Sequence, residues 1–484
     1  MAGRGVGMNR NAESVQVAVV GAGPGGYAAA FLAADLGLQV ALVDPEPNPG
    51  GICLYRGCIP SKALLHVAKV LAEARQAASW GIEFGAPAIQ LEKLRDWKAG
   101  VVRKLTTGLG LLSRQRNVRY IQGWAGLGDA HTLHIQGNNG QQRLRCDHII
   151  LATGSRPVPW PDPGAVGLES PRVWDSNRAL ELPEIPRTLL VIGGGYIGLE
   201  LGSVYAALGA QVTVVEMMPS LLPGVDADLV GVLHRRLEKV FASIRLNTKV
   251  ARMNDAAGRI EVEFEGQGQS AQPETFDAVL VSVGRKPNSA IAGIEKARVE
   301  LDARGFVQVD AQRRTSASNI FAIGDLAGEP MLAHKASHEG RVAVEAIVGH
   351  KVAFEPQAIP AVVFTDPEVA WCGLTETQAQ KENRPVRVAR FPWAASGRAM
   401  TLDHTEGITK LILDAESDRV LGVGIVGAGA GELIAEGVLA VEMAATATDL
   451  RLSIHPHPTL SETLMEAAEV FFGQATHIYR PKKS

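Results

Sequence analysis

The stretch VQVAVVGAGPGGYAAAFLAADLGLQVALVD, residues 15–44, decides the fold. An apolar run ends in Gly21, Gly23 and Gly26, a helical run follows, and a second apolar run ends in Asp44. This is the dinucleotide-binding order of strand, glycine turn, helix, strand and acid. The glycines permit a tight turn, close approach of backbone to a pyrophosphate, and packing of helix on sheet. The helix N-terminus faces the phosphates. Asp44, 23 residues after Gly21, is spaced to bond a ribose hydroxyl.

The unit returns in TLLVIGGGYIGLELGSVYAALGAQVTVVE, residues 188–216. It carries Gly193, Gly195 and Gly198, and Glu216 again falls 23 residues after the first glycine. Two such units imply two dinucleotide sites in an α/β chain with two Rossmann-like domains. Glu216 suits a free ribose 2′-hydroxyl and repels a 2′-phosphate. Met217, Met218 and Pro219 follow it, with no arginine to receive that phosphate. The second site is therefore expected to take NAD rather than NADP.

A chain of 484 residues has room for two to four domains, and 46% hydrophobic content supplies their cores. A net charge of −3 without a basic run argues against nucleic acid. No apolar run approaches the ~18 residues of a membrane span. Residues 1–14 read as a loose tail rather than a secretory signal, with Met8 an alternative start. The expected compartment is the reducing cytoplasm, where a disulfide is usually catalytic.

Between the repeats, residues 72–115 read as helical, and 118–133 and 144–152 as strands. ATGSRP (152–157) and AVLVSVGRKPN (278–288) read as strands running into crossovers. In NIFAIGDLAG (319–328) a buried strand delivers Asp325 to a tight turn. There it either bonds a cofactor's sugar or ribitol chain or serves as an ordinary turn aspartate. From residue 351 the pattern becomes an antiparallel α+β domain. Its strands are 408–414 and 420–427, and its helices 431–446 and 460–472. Its end holds HPHPTLSETLMEAAE, residues 455–469. Glu462 either orients a histidine that takes a proton from a thiol, or closes a capping box with Thr459.

Two of the four cysteines lie in GGICLYRGCIPSKALLH, residues 50–66. A bridge between Cys53 and Cys58 needs Cα atoms within about 7 Å, and five residues of regular helix rise ~7.5 Å. A bridge therefore requires a turned chain, which Gly57 permits, with a helix beginning near Pro60. Cys58 would then lie at the positive end of that helix, where a thiolate is favoured. A redox-active disulfide in a small loop is the favoured reading. A metal site, which lacks two further close ligands, and two adjacent buried thiols are the alternatives. Cys146 and Cys372 each stand alone and read as packing residues.

With ATGSRP, GRKPN (284–288), FAIGDLAGEPMLAHKA (321–336), FPWAASGRA (391–399) and HPHPTLSE (455–462), these motifs carry a resemblance that spans residues 15–472. The chain resembles the class I pyridine nucleotide-disulfide oxidoreductases, flavoprotein disulfide reductases with two dinucleotide-binding domains, and among them the branch acting on dihydrolipoamide. The resemblance implies one FAD per subunit in the first unit and NAD in the second. It implies that Cys53 exchanges with substrate and that Cys58 lies against the flavin. Lys62 is implied beside the flavin N5, with Glu200 as its partner near the nicotinamide. His457 is the implied base, held by Glu462 and supplied by the other subunit of an obligate homodimer. Asp44 and Asp325 are implied FAD contacts, Gly154, Ala333 and Gly284 join the cofactor-binding set, and no metal is implied. The implied division is 15–155 and 285–352 for FAD, 156–284 for NAD, and 353–484 for the subunit interface. Lipoyl domains and the acyltransferase core of 2-oxo acid dehydrogenase complexes, or the glycine cleavage system, are the implied partners.

Tyr55 and Arg56 replace the family's usual Asn-Val inside the redox stretch, and Pro456 stands where alanine is commoner. An inward Arg56 would lower the Cys58 thiol further. Glutathione-type reductases, which use NADPH, fit Glu216 poorly. Mercuric reductases end in a further cysteine pair, which ATHIYRPKKS (475–484) lacks. Soluble transhydrogenases lack the paired cysteines, and a non-enzymatic flavoprotein would not need Cys53, Cys58 and His457 together.

Overall fold

The structure is a computed structural model that describes residues 13–137, 140–160, 170–256, 258–266 and 272–479. Residues 1–12 of the expected tail lie outside that description, while Glu13 and Ser14 already belong to the first strand, Glu13–Val20. No helix among the described residues is long and apolar enough to cross a membrane.

The chain divides into two compact units. The first is built from residues 13–60, Trp97–Arg156 and Arg285–Glu355. Its parallel sheet runs Ile320–Ala322, Gly140–Leu151, Glu13–Val20, Val40–Asp44, Arg119–Asp129 in space. Strand Thr132–Gly137 pairs antiparallel with extensions of Arg119–Asp129 and Gly140–Leu151. The run expected as one strand over 118–133 is therefore a hairpin that turns after Asp129. The central strands are apolar on both faces, as a parallel sheet covered on both sides requires. Helix Pro24–Asp35 covers one face together with helix Ala333–Ile347, and the two pack through small residues. A Cβ on Gly340 would sit 2.7 Å from the Gly25 carbonyl oxygen, and one on Gly25 2.9 Å from that of Ala336.

The second unit is built from Ser61–Asp96, Pro157–Gly284 and residues 356–479. It holds a five-stranded parallel sheet, in the order Ser243–Arg245, Gln211–Val215, Thr188–Ile192, Ala278–Val281, Val173–Trp174. A three-stranded antiparallel sheet, Thr248–Ala256, Arg259–Gly266 and Glu274–Phe276, lies within the same stretch of chain. The unit also holds a five-stranded antiparallel sheet, Ala361–Val363, Glu368–Gly373, Val420–Gly427, Ile408–Asp414, Val386–Pro392. Helices Ala430–Glu442 and Glu462–Phe472 pack on it. The helix expected across 72–115 is broken. Helix Cys58–Gln76 runs into a short 3-10 turn, Ala77–Trp80, that Gly81 ends with φ +84°, and helix Leu91–Gln115 begins afresh.

A buried charge cluster joins the parallel and antiparallel parts of this second unit. The Lys410 ammonium is fully buried and lies 2.6 Å from Asp226 Oδ2, 2.7 Å from Asp228 Oδ1 and 3.3 Å from Glu376 Oε2. Arg390 pairs with Asp228 at 2.6 Å and with Glu376. The three carboxylates are close enough together to hold a metal ion, but the Lys410 ammonium already fills that role.

Candidate active site

Both glycine turns are built as their spacing requires. Gly21 has φ +99° and Gly193 φ +107°. A Cβ at either would strike a carbonyl oxygen of the neighbouring strand end, Ala152 or Ser282. Gly26 and Gly198 press on the carbonyls of Gly21 and Gly193, which seats each helix on its sheet. The middle glycines face open space. A Cβ at Gly195 would meet nothing within 4 Å, and one at Gly23 only the Cα of Gly51, at 4.0 Å. That clearance, at the start of a helix, fits a pyrophosphate. Residues of this kind in both turns fit FAD and NAD.

The two acids buttress these turns. Asp44 Oδ2 accepts from the Ala22 N–H at 2.6 Å and Oδ1 from the Glu46 N–H at 2.9 Å. Burial pushes its carboxyl up, against those two hydrogen bonds and the charge of Arg56. Glu216 repeats the arrangement, with Oε2 accepting from Gly194 N–H at 2.7 Å and Oε1 from Met218 N–H at 2.8 Å.

The redox stretch sits on the first turn. The Gly50 N–H donates to the Ala22 carbonyl at 2.8 Å, and a Cβ on Gly51 would lie 2.5 Å from the Gly23 Cα. Cys53 is not in a loop. It lies in a short helix, Gly51–Arg56, and Cys58 is the first residue of helix Cys58–Gln76, two residues ahead of the expected start. Gly57 joins the two helices, and a Cβ there would lie 3.3 Å from the Cys53 Cα. The chain is thus folded back at Gly57. Cys58 is exposed and Cys53 half-buried. Arg56 does not turn toward Cys58. Its guanidinium forks onto Glu46 Oε1, while the Tyr55 hydroxyl donates to the Asn48 carbonyl at 3.1 Å. The two departures from the family pattern therefore tie the redox helix to the chain just beyond Asp44. Tyr27, which sequence spacing did not single out, is raised by burial and then by the nearby Cys53 and Cys58 thiols.

Asp325 lies in a 3-10 turn, Gly324–Leu326, and accepts from the Ser155 hydroxyl. Arg285 fixes Ser155 with 2.8 Å hydrogen bonds to its hydroxyl and carbonyl oxygens. Under the turn, the fully buried Glu339 accepts from Gly324 N–H at 2.6 Å and pairs with Arg313 at 3.0 Å and Lys335 at 3.1 Å. Sequence reading missed this support because its members stand alone in sequence. Ala333 is the first residue of helix Ala333–Ile347. Gly154 and Gly284 both take positive φ, +70° and +120°, and a Cβ at either would meet nothing within 4 Å.

Two side-chain pairs expected at the site are formed. Lys62 Nζ lies 2.9 Å and 3.2 Å from the two oxygens of Glu200, whose side chain is 4% exposed. His457 Nδ1 lies 3.0 Å from Glu462 Oε1. Glu462 Oε2 accepts from the Thr459 N–H at 2.8 Å. Thr459 is not the helix cap, since the helix runs Glu462–Phe472 after Ser461. Glu462 therefore orients the histidine and ties the loop together. Burial alone would raise its carboxyl, but the Thr459 and His457 hydrogen bonds and the His457 and His477 charges hold it below the usual range. His455 is bound differently, its Nε2 2.8 Å from Glu436 and its Nδ1 2.9 Å from the Ser453 carbonyl. The His457 side chain is 73% exposed, as a group that meets a partner molecule would be.

Residues 15–340 match the pyridine nucleotide-disulphide oxidoreductase family, and residues 359–468 match the dimerisation domain of that family. The chain is 48% identical over 467 residues to dihydrolipoyl dehydrogenase of Vibrio cholerae, covering 96% of this chain and 98% of the relative. It is 46% identical over 462 residues to dihydrolipoyl dehydrogenase of Thermus scotoductus, covering 95% and 98%. Among solved structures it is similar to the HOCl-induced flavoprotein disulfide reductase RclA from Escherichia coli. That likeness has a TM-score of 0.82 at 28% identity, over 94% of this chain and 99% of the other.

Proposed function

Because this chain belongs to the pyridine nucleotide-disulphide oxidoreductase family, we infer that it acts as a dihydrolipoyl dehydrogenase, oxidising dihydrolipoyl groups to the cyclic disulfide with NAD. It is an FAD-dependent oxidoreductase and a homodimer. The observation that carries the reading is the seating of the two-cysteine stretch directly on a dinucleotide turn, Gly51 against Gly23. A redox disulfide needs its electron acceptor beside it, and this packing supports that placement.

In this reading the first turn, Asp44, Gly154, Asp325 and Ala333 hold FAD, and the second turn, Glu216 and Gly284 hold NAD. Residues 353–484 carry the subunit interface. His457 and Glu462 are supplied across it by the second subunit. The resting state has Cys53 and Cys58 bridged. Glu462 holds Nδ1 of His457, so Nε2 is the nitrogen that accepts a proton from the first substrate thiol. The resulting thiolate attacks Cys53 Sγ, the Cys53–Cys58 bond breaks, and Cys58 leaves as a thiolate. The second substrate sulfur then attacks the first. The substrate disulfide closes, and Cys53 departs with the second thiol's proton while His457 keeps the first. When bound, FAD and NAD supply the two-electron relay that returns the cysteine pair to the disulfide. Lys62 and Glu200 hold a fixed charge pair one helical turn beyond Cys58. The physiological dithiols are lipoyl domains, presented from the acyltransferase core of a 2-oxo acid dehydrogenase complex or by the glycine cleavage system in the cytoplasm.

The test is NADH formation from dihydrolipoamide and NAD by the purified holoenzyme, with glutathione disulfide plus NADPH run in parallel. Turnover of the first mixture only is expected. Turnover of the second, with none of the first, would move the enzyme to another disulfide substrate.

A further inference from the structure

We propose that Phe364 is a positioning residue for the Lys62–Glu200 pair, its ring fixing the Lys62 ammonium and its backbone fixing the Glu200 carboxylate. The proposal deepens the functional reading above and rests on the assignment of Lys62 as the cation beside the flavin.

Phe364 touches both members of the pair. The Lys62 ammonium lies 4.5 Å from the centroid of the Phe364 ring, a cation–π distance. The Phe364 N–H donates to Glu200 Oε1 at 3.0 Å. Glu200 therefore receives the lysine on both oxygens and the backbone N–H on one of them. A lysine carries its charge on a flexible four-carbon stem, and a single carboxylate holds such a charge at a distance without fixing its direction. The ring supplies a second constraint on the ammonium.

Phe364 is itself held firmly. It follows the buried Val363 at the end of strand Ala361–Val363. Val363 packs in the same core cluster as Leu199 and Leu201, which flank Glu200. Its ring lies against Gly431, where a Cβ would come 3.4 Å from the ring edge. Gly431 N–H in turn donates to Glu368 Oε2 at 2.8 Å, across the turn that carries Phe364. The strand that leads into Phe364 is an edge of the antiparallel sheet, which no sequence motif connects to the redox helix.

The experiment compares holoenzyme variants F364L, F364Y and K62M. F364L keeps the backbone donor and removes the ring, while F364Y restores a ring. Two readouts are followed, the midpoint potential of the bound flavin and the stopped-flow rate of its reduction by NADH. Melting temperature and flavin content are checked first. If F364L fails to hold flavin, F364M replaces it with the same expected result. F364L is expected to slow flavin reduction about 3- to 30-fold, the range of a cation–π contact, and to shift the potential in the direction of K62M but less far. F364Y is expected within about twofold of the native enzyme. The proposal is overturned if F364L matches the native enzyme while K62M does not, or if F364L and F364Y lose rate equally. If K62M moves neither readout, the assignment of Lys62 fails and this inference fails with it.

Discussion

Glu462 uses both carboxylate oxygens at once, Oε1 on His457 Nδ1 at 3.0 Å and Oε2 on the Thr459 N–H at 2.8 Å. An amide in its place would present a donor to one of two groups that must be accepted from. E462Q is therefore expected to lower kcat/KM for dihydrolipoamide by about 10²–10⁴-fold, with NADH-driven flavin reduction within about twofold of native. The carboxyl is depressed in the folded protein. Its contribution is complete above the ordinary glutamate value of about 4.3 and is lost as pH falls through the depressed folded value. The stability difference between native enzyme and E462Q should therefore hold from pH 8 to 5 and shrink only in acid. A difference that already vanishes at pH 6 would refute this account.

Lys410 has no exposed surface and three carboxylates around it. Burial would raise Asp226 and Asp228, but hydrogen bonds and charge from Lys410 outweigh it and hold both low. K410M leaves Asp226, Asp228 and Glu376 facing one another with only Arg390 between them. Denaturant unfolding should show a loss of about 3–5 kcal/mol at pH 7. That loss should begin to narrow below the ordinary aspartate value of about 3.9 and vanish as pH falls through the depressed native values. A loss under 1 kcal/mol at neutral pH would show the cluster to be dispensable.

The four cysteines should separate cleanly by reactivity. Burial pushes both Cys146 and Cys372 up to about 12, so neither supplies thiolate at pH 8. Alkylation of the reduced native enzyme should label Cys53 and Cys58 alone. Denatured without reductant, the resting enzyme should show two thiols, and four after reduction. Four thiols before reduction would rule out the bridged resting state.

Glu216 is held by two backbone donors at 2.7 Å and 2.8 Å, with Met217 and Met218 next in the chain. E216Q should raise the KM for NAD about tenfold, the scale of one charge-assisted hydrogen bond. NADP should not gain correspondingly, because no cation follows to receive its phosphate. Native enzyme that used NADP as well as NAD would contradict this.

The two nucleotide units were legible because their constraint is local. Gly21 and Gly193 must be glycine to clear a neighbouring carbonyl, and that requirement leaves a fixed spacing in the chain. Strands Ile408–Asp414 and Val420–Gly427 were legible from their apolar runs and fell where the pattern put them. The His457–Glu462 pair lies within one loop, so spacing pointed to it. What stayed hidden depends on distant partners. Nothing in the sequence around Arg56 announces that Glu46 will take its guanidinium. Lys410 meets Asp228 across 182 residues, and Phe364 meets Glu200 across 164. The helix break at Gly81 was missed because the residues on either side share helical composition, and the short helix at Cys53 because its flanking glycines read as loop.

The packing of helix Pro24–Asp35 on helix Ala333–Ile347, Gly25 against Ala336 and Gly340, also orders events during synthesis. The first helix leaves the ribosome more than 300 residues before the second. Until then one face of the first sheet is only partly covered, by the first helix alone. The parallel sheet of the second unit, complete by Val281, can close earlier, since domains fold as units while the chain emerges. A nascent chain halted near residue 300 would thus carry a finished sheet for one nucleotide and, for the other, one that lacks its edge strand Ile320–Ala322 and half its helical cover, and would need shielding until the last stretch arrived.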